Sequence, residues 1–190
     1  QFIFDETASV TVVMSNGELV SETEINVLNG ANAALLGDEI IQFRTATLIS
    51  ANTYTLTGLL RGLRGTNWAT TTHAVGDRFI LLDADALYLT SGPSSEYDVP
   101  RLYKAVSFDR YIDEAAFVDF THTAVARHPY SPVQLGGGRN AALDITLTWV
   151  RRTRVNGGWN NYADVSLGEA TEAYEVEIYT TSGYTVVART

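Results

Sequence analysis

An all-β fold class is predicted by three observations. Apolar and β-branched residues alternate in short runs, Gly, Asn, Ser and Pro punctuate those runs, and no convincing amphipathic helix interrupts them. The pattern is densest in two stretches, 35–66 and 144–180. Neither holds a plausible nucleophile, acid/base pair or metal cluster, so the first expectation is a scaffold rather than an enzyme.

SVTVVM at 9–14 reads as a strand, and the Asn16-Gly17 pair predicts a hairpin to a second strand, ELVSETEINVL at 18–28, because both central positions of a tight turn need positive φ. NGANAALLG at 29–37 has room for one short helical turn at most. EIIQFRTATLIS at 39–50 and NTYTLTGLLR at 52–61 predict another hairpin, joined near Ser50-Ala51-Asn52. Alternation places Ile41, Phe43 and Thr45 on one face of its first strand and Ile40, Gln42 and Arg44 on the other. DRFILLD at 77–83 and RLYKAVSF at 101–108 add one strand each.

From 109 to 128 the pattern weakens into a connector with one short strand at AFVDF. HPYSPVQL at 128–135 reads as a new beginning, since Pro129 and Pro132 exclude a central strand. The expected organisation is an antiparallel β domain over 1–108, a connector over 109–128 and a second β domain over 129–190. In the latter, strand DITLTWV precedes a long loop, strand AYEVEIYT, a turn at Ser182-Gly183 and an open edge at TVVART. Ile145, Leu147 and Trp149 should face Tyr174, Val176 and Ile178.

With 45% hydrophobic and 18% charged residues, the chain sits in the globular range. It has no cysteine, so stability must come from packing and strand pairing. FILL at 79–82 and AALL at 33–36, its longest apolar runs, fall far short of the ~20 residues of a membrane span. The chain opens at Gln1 with no leader, and we expect a piece of a longer polypeptide. Residues 1–128 hold 16 acids against 8 bases and residues 129–190 hold 6 against 5, giving −8 and −1 of the total −9. That balance repels a phosphate backbone, so nucleic acid is not an expected partner. Of 13 basic residues 12 are Arg, which suits fixed interfaces.

Several residues are candidates for chemistry. Arg61, Gly62, Arg64 and Gly65 in LLRGLRGT could approach an anion, but no helix follows as a phosphate loop requires. A turn held by arginine-to-carbonyl hydrogen bonds is the favoured reading. Arg151, Arg152 and Arg154 could bind an anionic sugar or phosphate. Alternatively they pair with Glu169, Glu172 and Glu175. Trp159, Tyr162 and Asp164, with Asn160 and Asn161, have the composition of a sugar-binding loop or of a loop pinned by its rings. Asp83 and Asp85 lack the third acid a hard cation needs. His73, His122 and His128 lack zinc spacing, and adjacent Asp38 and Glu39 point to opposite strand faces, away from paired acid/base work. No cofactor is expected.

The order from Pro129 onward, with a strand ending in Trp149, resembles the first half of a fibronectin type III domain. That resemblance implies an all-β chain made of an antiparallel β domain and a partial fibronectin type III-like β-sandwich, incomplete after about four strands. WVRRTRVNGGW followed by DVSLGEATEAYEVEI is similar to the tail-tip hub proteins of long-tailed phages and gene transfer agents. GANAALLGDEIIQF, LTGLLRGLRGT, His73 and GDRFILLD resemble the upstream segment of the same proteins. The resemblance implies a virion component at the tail tip, a homotrimer that closes the tail tube, contacts other tail-tip proteins and supports fibres or host-binding modules. The enzymatic modules of larger members lie in other parts of the polypeptide.

Two readings of function follow. A structural brace would bury Trp68, Trp149 and Trp159, whereas a carbohydrate- or receptor-binding module using the 156–164 loop, with a host surface glycan as partner, would leave Trp159 accessible.

Overall fold

A computed structural model describes residues 3–83, 87, 91–157, 165–183 and 187–189, and the chain divides into two compact units, Gln1–His128 and Pro129–Thr190. The described residues are all-β, with short helical turns between antiparallel strands.

The first unit is built on a five-stranded antiparallel sheet. Its strands are β1 (Val10–Val13), β2 (Ala33–Leu36), β3 (Glu39–Ser50), β4 (Thr53–Leu63) and β5 (Phe79–Leu81), in the order β1-β4-β3-β2-β5. The long β3–β4 hairpin is its spine. The turn falls at Ala51-Asn52, where Asn52 takes φ 55°, and the register runs from Ser50↔Thr53 to Ile40↔Leu63. Ile41, Phe43, Leu56 and Leu59 are fully buried, and Val12, Leu19, Ala34, Leu36 and Tyr54 complete the core. Burying one such large apolar side chain contributes about 1.5–3 kcal/mol.

The hairpin expected across Asn16-Gly17 does not form. Gly17 does take φ 82°, but β1 pairs with β4, Val10 opposite Leu56 and Val13 opposite Thr53. The expected strand 18–28 instead ends in helix α1 (Glu24–Leu28). Thr23 caps it, its hydroxyl accepting from the Asn26 N–H at 3.2 Å, Glu24 sits in the first turn, and Asn29-Gly30 ends it. A capped helix leaves no free ladder for β1, so β1 takes the apolar edge of β4. The short helical turn allowed over 29–37 is likewise replaced by β2, which forms a two-residue hairpin with β3 through Gly37-Asp38.

Gln42 lies on the face of β3 opposite Ile41 and Phe43, and it too is buried. Helix α1 covers that face, and the Gln42 amide donates to the carbonyls of Val27 and Ala31, the latter at 2.7 Å. This satisfies both donors of a buried polar group and ties the helix end to the sheet.

Beyond the sheet, β6 (Pro100–Tyr103) pairs with β7 (Val118–Thr121). The strand expected over 101–108 ends at Tyr103, where Lys104 leaves the ladder to donate to the Ile112 carbonyl at 2.9 Å and to stack on Phe117.

In the second unit β8 (Val133–Arg139) pairs with β9 (Ile145–Val150), and β10 (Ile178–Tyr179) with β11 (Val187–Arg189). The segment after Pro132 forms a full strand because its glycines admit close packing. A Cβ on Gly137 would lie 2.9 Å from Leu147 Cδ2. Trp149 meets Tyr174 edge-on at 5.1 Å, although the regular strand expected over 173–180 is confined to Ile178–Tyr179. Trp68, expected to be buried by a brace, is 57% exposed, because the 3-10 turn Asn67–Ala69 directs Ala69 inward and the indole outward.

Gly62 combines a left-handed backbone with a close backbone neighbour. It takes φ 60°, and a Cβ there would lie 3.0 Å from Asn67 Cα. Gly62→Ala is expected to destabilise the first unit by at least about 1–2 kcal/mol, the left-handed cost alone. Gly138→Ala, with open space around it, should shift the urea midpoint little; equal midpoints for the two variants would refute the close-approach argument.

Candidate functional site

The most concentrated set of ionisable groups forms around Glu39, the first residue of β3. Its side chain is fully buried. Arg61, near the end of β4, donates from Nε to Oε1 at 2.9 Å and from Nη2 to Oε2 at 2.7 Å. The Gly62 N–H donates to Oε1 at 2.6 Å, and His73 Nε2 lies 2.6 Å from Oε2. The other His73 nitrogen, Nδ1, lies 3.1 Å from Asp77 Oδ2, which also accepts from the Ala74 N–H. Carboxylates only accept, so both His73 contacts form together when both ring nitrogens carry protons.

Local sequence explains the assembly. The hairpin turn brings the start of β3 against the end of β4, and a register shift between Ile40↔Leu63 and Gln42↔Leu60 places Arg61 and Gly62 opposite the single residue Ile41. That bulge turns the Arg61 side chain and the Gly62 N–H toward Glu39. Arg64 and Gly65 then take φ 51° and 86°. They bring Thr66 over β3, where its hydroxyl accepts from the Ile40 N–H and donates to the Leu63 carbonyl. Arg61 also donates to the Thr70 carbonyl at 2.8 Å. The Arg-Gly segment is thus a turn with one arginine-to-carbonyl bond, whose main partner is a carboxylate.

Electrostatics follows from this geometry. Burial pushes the Glu39 carboxyl up, but the Arg61 guanidinium, His73 and the Gly62 N–H together hold it below the ordinary carboxylate value. Arg61 is raised by its bonds to Glu39, and Asp77 is lowered chiefly by the Ala74 N–H and then by His73.

Beside the cluster lies a cavity of about 810 Å³, lined by Val10–Val13 of β1, by Arg61, Thr70, His73 and Asp77, and by Phe79 of β5. A flat five-stranded sheet would hold its edge strands about 19 Å apart. Since β1 and β5 are those edges and both line one cavity, the sheet is curled toward closure. Ser9 and Thr11 also line it. Both His73 nitrogens face carboxylates, those of Glu39 and Asp77. The arrangement is suited to locking the sheet end to the 66–77 loop.

Arg151, Arg152 and Arg154 are distributed among partners. Arg151 donates to Glu172 at 2.8 Å and to the Val165 carbonyl at 2.7 Å, and Arg154 makes a two-point contact with Glu169 at 2.7 and 3.1 Å. Arg152 lies over the Tyr130 ring at 5.0 Å, and burial lowers its pKa. Glu169 is held low by Arg154, and Glu172 by the Tyr174 hydroxyl and then Arg151. Glu175 is exposed. Trp159, Tyr162 and Asp164, with Asn160 and Asn161, lie outside the described residues, as does Asp85. Among the described residues no group of three or more metal-ligating side chains converges.

Sequence reasoning missed the Glu39–His73–Asp77 set. Alternation sets Asp38 and Glu39 on opposite strand faces, and His73 enters the sequence reading only through zinc spacing and the upstream motif, so nothing there brings the three together. The usable signal was a charged residue at the head of an apolar strand, Glu39-Ile40-Ile41, matched through the hairpin turn to an arginine in Leu59-Leu60-Arg61.

With this geometry in place, comparison with known proteins adds one match. The family model described as Rcc01698-like, C-terminal, matches residues 1–80, which span the five-stranded sheet to within its last strand and include Glu39, Arg61, His73 and Asp77. No curated protein matches the chain.

Removing Arg61 leaves a buried carboxylate without its main partner, and Arg61→Ala is expected to cost about 3–5 kcal/mol at neutral pH. Because the folded pKa of Glu39 lies below its ordinary 4.5, the unfolded chain takes up the proton first as pH falls. The stabilisation is therefore full above that value and lost in acid. The gap between wild type and Arg61→Ala in urea unfolding should be widest at pH 7 and close below about pH 4.5; a gap independent of pH would refute the assignment.

Proposed function

We propose that this chain is a structural module of a phage-like tail tip, bracing the hub at the distal end of the tail and packing against copies of itself and other tail-tip proteins. The observation that carries an assembly role is the exposed apolar surface of the described residues.

One segment carries several of these exposed apolar side chains. Leu102, Phe108, Tyr111, Ile112 and Phe117 are between 62% and 95% exposed. A two-stranded sheet with this much uncovered apolar surface does not stand alone in water, and covering it by other protein is the ordinary solution. The charged cluster supports the same reading from inside, since Glu39, Arg61, His73 and Asp77 bond to one another and to the neighbouring backbone. The match of residues 1–80 supports a gene-transfer-agent or related phage-like setting, and the motifs at 149–159 and 164–178 favour the hub within it. A hub role implies threefold copies in the virion. No helix among the described residues is long and apolar enough to cross a membrane.

The test is a cryo-electron-microscopy map of the particle that contains this chain. Density for residues 35–66 and 144–180 in three copies at the distal end of the tail tube is the expected result. A peripheral position, away from the tube, would overturn it.

A further inference from the structure

We propose that the concave face of the β6–β7 hairpin binds a neutral pyranose sugar, with Tyr97 and Phe120 as stacking platforms and the Glu96–Arg101 pair as hydroxyl-binding groups. A cavity of about 360 Å³ opens there, lined in part by Glu96, Tyr97, Arg101, Tyr103, Phe120 and His122. Its size falls within the range of about 300–1,000 Å³ of small-molecule sites.

Strand alternation builds the face. Arg101 lies opposite Phe120 in the ladder, so Arg101, Tyr103 and Phe120 share one side while Leu102 lies on the other. Tyr103 and Phe120 meet edge to face at 6.2 Å, and both remain about half exposed. Tyr97 lies 4.9 Å from the His122 ring, and the Arg127 guanidinium sits over it at 5.5 Å. The turn that carries Tyr97 is held in place: Pro93 precedes the 3-10 turn Ser94–Glu96, and Asp98, at φ 60°, donates its N–H to the His122 carbonyl at 3.1 Å. The rings are therefore positioned before any ligand arrives, which lowers the ordering cost of binding.

The class of ligand follows from charge and shape. Arg101 Nη2 donates to Glu96 Oε1 at 3.2 Å, so the two formal charges cancel and neither cation nor anion is favoured. The pair still offers guanidinium donors and carboxylate acceptors on the cavity wall, beside aromatic faces. A pyranose presents the complement, with an apolar C–H face for the rings and hydroxyls that both donate and accept. This site lies on the side of the β6–β7 ladder opposite Leu102, and its test does not draw on the tail-tip reading.

Saturation-transfer-difference NMR of the intact chain tests it, with methyl β-D-glucopyranoside, methyl β-D-galactopyranoside and methyl α-D-mannopyranoside as probes. Transfer to the ring protons of at least one sugar is expected, falling about tenfold in Tyr97→Ala and in Phe120→Leu, which keeps apolar bulk but removes the ring. Tyr130→Ala, in the other unit, should retain it. Absence of transfer from all three sugars to the folded chain, or transfer unchanged in Phe120→Leu, would overturn the proposal. So would concentration-dependent self-association abolished by Tyr97→Ala without any sugar signal, which would assign the face to a protein contact.

Discussion

The burial of one carboxylate, Glu39, constrains the rest of the first unit. A charge fully removed from water is tolerated only when donors surround it, because its lost hydration costs several kcal/mol. Three donors meet that demand, two guanidinium N–H groups and a backbone N–H, with an imidazole nitrogen beside them. Each group has a structural consequence. The guanidinium and the Gly62 N–H require the bulge at the end of β4. The imidazole requires the 66–77 loop to fold back, and Asp77 at the end of that loop sets where β5 begins.

The same constraint explains the curl of the sheet. β2 pairs with β5 on one side and β3 on the other, and Phe79 of β5 packs against Phe43 of β3 at 6.4 Å between ring centres. With the loop tied to Glu39, Phe79 of β5 and Val10–Val13 of β1 line the same cavity. Packing is concentrated in this sheet, whereas the β6–β7 segment exposes most of its large apolar side chains. The chain thus separates a packed core from a segment rich in exposed apolar side chains.

Some of this organisation was legible in the residues and some was not. The β3–β4 hairpin was readable because two long alternating runs flank a turn residue that tolerates positive φ. Helix α1 carried its own signals, the Thr23 cap, Glu24 and the Asn29-Gly30 stop, but they compete with a strand-like composition over only five residues. Asn16-Gly17 misled for the opposite reason: the bend is present, yet a turn signal specifies only a change of direction, and the partner strand was decided by β4. The Glu39 site was half legible. Glu39 and Arg61 meet by hairpin arithmetic, whereas His73 arrives through a loop that no periodicity predicts.

By itself the sequence determined what is local: the all-β class, the long hairpin, the glycines that turn it, and an excess of Arg over Lys suited to fixed contacts. Alternation and φ preference act between near neighbours, so one chain read in order contains them. Only the tertiary structure decided which edge β1 joins, that Gln42 is covered by α1, and that Glu39 is buried with Arg61, His73 and Asp77. Strand partnership and the burial of a charge are settled by competition among distant segments for the same hydrogen bonds and the same dry volume. No local pattern encodes the winner of that competition.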